Sequence, residues 1–520
     1  MPIPNYQVPG VYVTQSGTSL TTQNPTNLNI LFVVDQPLAG ANTDTFNNVI
    51  VTSGANIGQL SVPMVNTTST GTYSTYSGYT VTWVSGTTTV TGTYGTNFTI
   101  STASGQPFSI LSTSGTTSGV GLPSGTVGIT YGHNWAAYGT YYNYNALAAT
   151  LGAAVSGTTI SSPGTLAAQL AFQNGANTVQ ILPVARVSNP TASTAAVSDW
   201  IRTFSTAGTG NDITYLASFS SVDVVVPIYS FISTSGQNAG QVIPYGGGTV
   251  ASALSTYLSN QYNVGVYQRA FIGVDGTGNQ VTTSAIQALA SGFGSSNAGT
   301  RVSLAFPASI NYNPGLSTTT GLTNVNFNVP GAYLAAALAG TFVGQTDVEV
   351  PITNKQIFGF NYVPNQISIN DAQTNYLPYG ITTAYQKRDG NLWCLQGLTT
   401  NTTNWLTQEI SINAIGDRLA RNISSDLNNS YIIGGPLTAI TVNTALAIVQ
   451  ATLVNAKKSG LIQSYQSLSY TLSSPNPTTI YITFQYSPTY PVNYIQVTFS
   501  LNTSTGAVIA QSTNNPNLAV

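Results

Sequence analysis

The side chains that could do chemistry in this chain are few, and their types exclude most of it. His133 is the sole histidine and Cys394 the sole cysteine. A metal centre of several imidazoles, or of imidazole and thiolates together, therefore lacks a ligand set. A Ser-His-Asp triad would have to use His133, which lies in a glycine-rich stretch, and no G-x-S-x-G occurs. The expectation for His133 is a surface or loop histidine. The lysines are Lys355, Lys387, Lys457 and Lys458, and none follows a glycine, so there is no Walker-type phosphate loop. Gly208-Thr209-Gly210 and Gly276-Thr277-Gly278 read as turns. Asp347 and Glu349 would share one face of a strand and could do acid–base work. Lys355 and the basic residues near it make a structural ion pair the expectation there instead. No catalytic residue, cofactor or metal site is predicted.

Composition points the same way. Charged residues make up 5% of the 520 and the net charge is -2, against about 25% charged in an average globular protein. That is too little charge to grip nucleic acid or to steer a charged ligand. With 42% hydrophobic residues and 30 tyrosines, the chain is nonetheless a folding sequence. Surfaces rich in Thr, Ser, Asn and Tyr suit extended structure and broad contacts with other protein. The length predicts two to four domains. No lysine or arginine precedes Arg186, and Met1-Pro2-Ile3-Pro4-Asn5-Tyr6 has neither the basic start nor the apolar core of a secretory signal. The apolar run Ala332 to Val343 is too short to span a bilayer. A lone cysteine allows no intrachain disulfide and fits assembly in a reducing cytoplasm.

The elements that must position these residues follow from periodicity. Residues 1–25 read as an arm, with Pro2, Pro4 and Pro9 barring helix and Val11 to Val13 a short strand. Residues 45–145 read as an inserted β-rich outer domain. Residues 26–44 and 146–345 alternate helical and strand patterns, the signature of helices over a parallel sheet. In 346–501, an α+β domain, Ile412, Ile415, Leu419 and Ile423 make one helical stripe, and Val442, Leu446, Val449, Leu453 and Ala456 another. Thr441 is the expected N-cap of the second helix; Lys457 and Lys458 suit its dipole and Gly460 its C′ position. Two alternating strands, Ile480 to Tyr486 and Ile495 to Leu501, are expected to be joined through Pro488 and Pro491. A polar tail, 502–520, closes the chain.

An ordered set of segments resembles one family. These are Pro9-Gly10-Val11-Tyr12-Val13, Tyr333 to Gly340, Pro351-Ile352-Thr353-Asn354-Lys355, Leu377 to Ile381, Trp393, Gly397 to Thr400, Ile410 to Arg421, the helix at 441–459, Gly460 to Tyr465 and Tyr494 to Phe499. Together they are similar to contractile tail sheath proteins of bacteriophages. The likeness is weakest over 45–145, where sheath proteins carry variable outer insertions. It implies a multidomain α/β tail-sheath fold with extended terminal arms. It also implies a structural subunit that stacks helically around an inner tail tube and contracts to drive that tube through a host envelope.

The resemblance implies that terminal arms add strands to neighbouring copies' C-terminal sheets. Here the candidates are Val11, Tyr12 and Val13 at one end, and Val508, Ile509 and Ala510, or Tyr494 to Leu501, at the other. Ser16 to Asn27 and Asn502 to Thr505 would be hinges. The helix at 441–459 resembles the one facing the inner tube, so Lys457 and Lys458 could meet acidic groups there; dipole compensation is the other reading. Arg418 and Arg421, near Asp417 and Asp426, are expected in structural ion pairs. Implied partners are further copies in stacked rings, the inner tail tube protein, and baseplate and tail terminator proteins, with no nucleic acid and no membrane insertion. The implied place is the virion tail, after assembly in the host cytoplasm. The alternative from another class is an extracellular adhesin or surface-layer protein, suggested by 45–145.

Overall fold

The structure is a computed structural model. It describes residues 28–36, the strands between 42 and 133, residues 136–492 apart from 187–193, 206–215, 232–248, 278–280, 313–326, 473–478 and a few single positions, and the strands 498–501 and 508–511. The expected arm at 1–25 and its Val11, Tyr12 and Val13 lie outside the described residues.

Ile30–Val34 (β1) is an unbroken apolar strand with every side chain fully buried. Alternate residues serve opposite faces: Ile30, Phe32 and Val34 enter one core cluster and Leu31 and Val33 the other. Such a strand must be covered on both sides, and its sheet is accordingly parallel and central. The other strands of this sheet are β2 (Gly139–Tyr141), β3 (Val179–Pro183), β4 (Val224–Ile228), β5 (Arg269–Ile272), β6 (Val302–Phe306), β7 (Gln356–Ile357), β8 (Ile381–Gln386) and β9 (Leu392–Cys394). Their spatial order is β7-β9-β8-β6-β5-β4-β1-β3-β2. The core from β3 to β8 is parallel, with β2, β9 and β7 added antiparallel at the edges. This is a doubly wound sheet whose order reverses beside β1.

Ten helices are described: α1 (Tyr144–Leu151), α2 (Pro163–Gln173), α3 (Val197–Thr203), α4 (Val250–Asn263), α5 (Thr283–Gly294), α6 (Gly331–Val343), α7 (Ile369–Asn375), α8 (Trp405–Gln408), α9 (Ile410–Asn429) and α10 (Ala439–Lys458). Side chains of α3, α4 and α5 fill the core on one face of the sheet; those of α1, α2, α6, α9 and α10 fill the other. The apolar run expected from Ala332 to Val343 is α6, buried along its whole length. It lies hard against α2, because a Cβ on Gly340 would come within 2.6 Å of the Ala171 carbonyl oxygen.

Two expected boundaries move. The sheet does not stop at residue 345: β8 pairs in parallel with β6, so residues beyond 346 complete the same sheet. The reason is local, since Thr382 and Thr383 are fully buried core residues although their side chains are polar. The β-rich insertion spans 42–133 rather than 45–145, as two antiparallel sheets. Asn42–Val51, Gly125–His133, Tyr79–Ser85 and Thr88–Gly92 form one, and Asn56–Gln59, Ser109–Ser112 and Phe98–Ile100 the other. Gly139 onward already belongs to the α/β body. His133 is the last residue of a strand paired with Asn42.

Candidate assembly surfaces

α9 carries Asp417, Arg418 and Arg421 against the amino ends of the parallel strands. Asp417 is fully buried between two guanidiniums: Arg269 Nη2 at the start of β5 donates to Oδ2 at 2.9 Å, and Arg301 Nη2, just before β6, to Oδ1 at 3.2 Å. One turn on, Arg421 Nη1 donates to Asp223 Oδ1 at 2.7 Å and its Nη2 to the Tyr267 carbonyl at 2.7 Å. Asp223 precedes β4 and also accepts from the Asn29 amide beside β1, at 2.9 Å. The guanidiniums lie near aromatic rings as well, Arg301 at 4.5 Å from the Tyr262 centroid and Arg269 at 5.0 Å from that of Phe342.

Burial pushes the carboxyl of Asp417 above its ordinary range; Arg301, Arg269 and Arg421 pull it back. Burial likewise raises Asp223, opposed chiefly by Arg421. Because a guanidinium does not give up its proton at neutral pH, these are cations in the interior, affordable only while their carboxylates are in place. At the edge of the cluster Arg418 reaches Asp347 at 3.6 Å and Glu349 at 3.9 Å. Of 11 basic and 13 acidic side chains, four of each sign therefore meet on this one helix. They clamp α9 to four strand ends.

Expected partners change accordingly. Asp347 and Glu349 pair with Arg418, not Lys355. Among the described residues Asp426 makes no ion pair with an arginine; it accepts from Thr452 Oγ1 at 2.6 Å, tying α10 to α9. Asp223, Arg269 and Arg301 were not singled out in the sequence. Their signal was there: each abuts an apolar strand, where a charge is costly unless matched.

α10 starts one turn earlier than expected. Thr438, not Thr441, is its N-cap, and its Oγ1 accepts from the Thr441 amide at 3.2 Å. The helix ends at Lys458, with Gly460 at φ +82° reversing the chain. By length and hydropathy α10 could cross a membrane. However, Val442, Ala445, Val449, Leu453 and Ala456 are buried in the protein, and the helix packs on α9 and the strand that follows it. Lys457 and Lys458 are both exposed in its last turn. At the other end Ile433, Leu437 and Ile440 are exposed, Ile440 by 78%.

After Gly460 the chain forms a hairpin, β10 (Ile462–Leu472) and β11 (Ile480–Pro488), paired antiparallel. Ile482, Phe484 and Tyr486 of β11, with Tyr465 and Leu468 of β10, pack on the core shared with α9 and α10. This is a sheet of two strands only, joined to no other described strand. Among the described residues, each strand therefore has one edge that pairs with no other strand. Two strands are marginal alone, and open edges invite pairing. The expected partner of β11, the Ile495 to Leu501 strand, is elsewhere: Thr498–Leu501 (β12) pairs with Val508–Gln511 (β13). Val508, Ile509 and Ala510 lie in β13, held along one edge by their own chain.

Where an open α/β sheet often holds a ligand, at the switch point beside β1, side chains are engaged in structure. Arg186 Nη2 meets Asp35 at 2.6 Å, and Gln36 Oε1 accepts from the Gly164 amide at 2.9 Å and the Ser162 hydroxyl at 3.1 Å. Cys394 is buried and free, and burial pushes its thiol pKa far up. Among the described residues no group of three or more His, Cys, Asp or Glu is placed to hold a metal.

This fold is similar to that of chains from contractile injection systems. The likeness covers nearly the whole chain. A chain of the anti-feeding prophage baseplate matches with TM-score 0.52 and 12% identity, over 96% of this chain and 99% of that one. A chain of the anti-feeding prophage helical sheath in its contracted state matches with TM-score 0.50 and 11% identity, over 96% and 100%. In sequence, the chain is 25% identical over 350 residues to the tail sheath protein of Mycobacterium phage Bxz1, covering 67% of this chain. It spans about half the length of that curated relative, 53%. No family model matches.

Proposed function

We propose that this chain is a structural tail sheath subunit. Copies polymerise as a helical stack of rings around an inner tail tube, on a baseplate and below a tail terminator. Contraction of the stack drives the tube through a host envelope, and the subunit's place is the virion tail. The observation that carries this reading is the two-stranded β10–β11 sheet, whose outer edges pair with no other described strand, mounted through α9 and α10 on a buried ionic clamp. Strands from neighbouring copies would complete it. Val11, Tyr12 and Val13 supply one, and the β12–β13 region with Val508, Ile509 and Ala510 the other. Backbone pairing of this kind needs no side-chain charge, which suits a chain that is 5% charged.

On this reading the subunit acts by repacking and makes or breaks no bond. The clamp holds each hairpin to its own body, so a pull on a donated strand moves the whole subunit. α10 faces the inner tube, meeting it through Ile433, Leu437 and Ile440 at one end and Lys457 and Lys458 at the other. The test is deletion of residues 1–14. A folded monomer that forms no tubes by electron microscopy is expected; long tubes from the truncated chain would overturn strand donation.

A further inference from the structure

The two outer edges of the β10–β11 hairpin are not equivalent. β10 has 11 residues and β11 has 9, yet the strands pair from end to end. The excess lies at two places in β10. Ile462 and Ser464 face the neighbours Pro488 and Ser487, and Gln466 and Ser469 face Gln485 and Thr483. Each place holds one residue of β10 that has no counterpart in β11. At the second, Ser467 stands at φ +57°, a left-handed conformation uncommon for a residue with a side chain. This bulge is held from both sides. Gln466 Nε2 donates to Gln485 Oε1 at 3.2 Å before it, and the hydroxyls of Ser469 and Thr483 lie 2.9 Å apart after it. A bulge bends and twists the strand that carries it, so β10 is bent twice.

An added strand needs a run of regularly spaced amides and carbonyls along the edge it meets. β10 offers such runs only in pieces, the longest being residues 469–472 at its tip. β11 offers one unbroken run from Ile480 to Pro488. Proteins keep exposed edges from pairing by placing bulges or charged side chains on them. β10 carries bulges. β11 carries neither device, and no charged side chain occurs anywhere from 459 to 520. A regular, uncharged edge of this length is a template for strand addition. Backbone pairing is indifferent to side chains, so its occupant is decided by which strand is held close at high effective concentration. In a polymer of identical subunits that strand belongs to another copy.

We infer that the outer edge of β11 is the surface that accepts a long strand from a second copy of this chain, and that the two bulges limit the β10 edge to a short pairing at its tip. This rests on the strand-donation reading above. The test compares amide exchange, resolved by peptide with mass spectrometry, between soluble subunits and assembled tubes of the full-length chain. Alternate amides from 481 to 487 should slow by about 10-fold or more on assembly, as they enter a new ladder, while those from 463 to 468 change little. Deletion of Ser467 brings Leu468 directly opposite Phe484 and removes the second bulge. In tubes of that variant, shown folded by its circular dichroism and melting temperature, the slowing should spread along β10 from 464 to 472; no spread would overturn the part assigned to the bulge. An equal or greater gain along 463–468 in the native protein would overturn the asymmetry and leave strand donation standing. Full protection of 481–487 already in the soluble subunit would give that edge to the subunit's own chain and overturn the inference. A gain on neither strand would overturn strand donation as well.

Discussion

Asp417→Asn should loosen the hairpin-bearing half of the molecule far more than its single-atom change suggests. The substitution leaves Arg269 and Arg301, with side chains 7% and 2% exposed, facing each other without a carboxylate between them. Removing one partner of a buried ionic group costs about 3–5 kcal/mol, because the remaining charge stays desolvated. Carried into local opening of α9, that raises the opening constant by more than about a hundred-fold. Cys394 reports on it, since it lies in the same core cluster as Ile410, Ile415 and Leu419 of α9. Thiol labelling and amide exchange along α9 and β10 should both accelerate by that factor. The control is Arg418→Ala, whose contacts at 3.6 and 3.9 Å lie at the half-exposed rim and are worth at most about 1 kcal/mol. Replacing all three clamp residues by apolar ones, as in Arg269→Met, Arg301→Leu and Asp417→Leu together, should recover much of the loss, because no unpaired charge remains. If Asp417→Asn opens no faster than Arg418→Ala, the clamp does not hold α9.

Three further outcomes are expected. Charge reversal at Lys457 and Lys458 should weaken binding to the inner tube more than self-assembly, read by co-sedimentation with tubes and by sheath polymerisation alone; equal loss of both would contradict a tube-facing role. Polymerisation should change little between low and high salt, since the exposed surface has few charges to screen, and a steep dependence of tube yield would refute this. In the native protein Cys394 should resist maleimide even at mildly alkaline pH, because burial raises its thiol pKa and shields the sulfur; it should react fully once the chain is unfolded.

Much of the body was legible because apolar periodicity is strong where both faces of an element are buried. β1, α6 and the α9 stripe are read directly from Ile30 to Val34, Ala332 to Val343 and Ile412 to Ile423. The central sheet's extension past residue 345 was not, because β8 carries Thr382 and Thr383 inward and β9 has only three residues. β10 was hidden by a bulge. Its pairing shifts between Gln466 and Ser469, with Ser467 at φ +57°. Tyr465 and Leu468 therefore reach the same core three residues apart instead of two. The charged site was half legible. That Arg418 and Arg421 make ion pairs follows from their scarcity on an apolar helix. Their partners do not, since Asp223 stands 198 residues before Arg421 and nothing local links them.

On the proposed sheath role, the placement of charge bears on how the subunit would work. A sheath that contracts must exchange contacts between copies while each copy keeps its shape. Backbone edges suit the first task, because a strand pair holds its register by hydrogen bonds and bends at its ends without a change in side-chain partners. Buried ion pairs suit the second, because separating them exposes a desolvated charge and the cost rises steeply with the first displacement. In this chain the two devices are adjacent. The hairpin's outer edges pair with no other described strand, and α9 and α10, on which it rests, are fixed to four strand ends by Asp417 and Arg421. Were the charges moved to the hairpin edges, neighbours would be locked by side chains and the joint between hairpin and body would yield first.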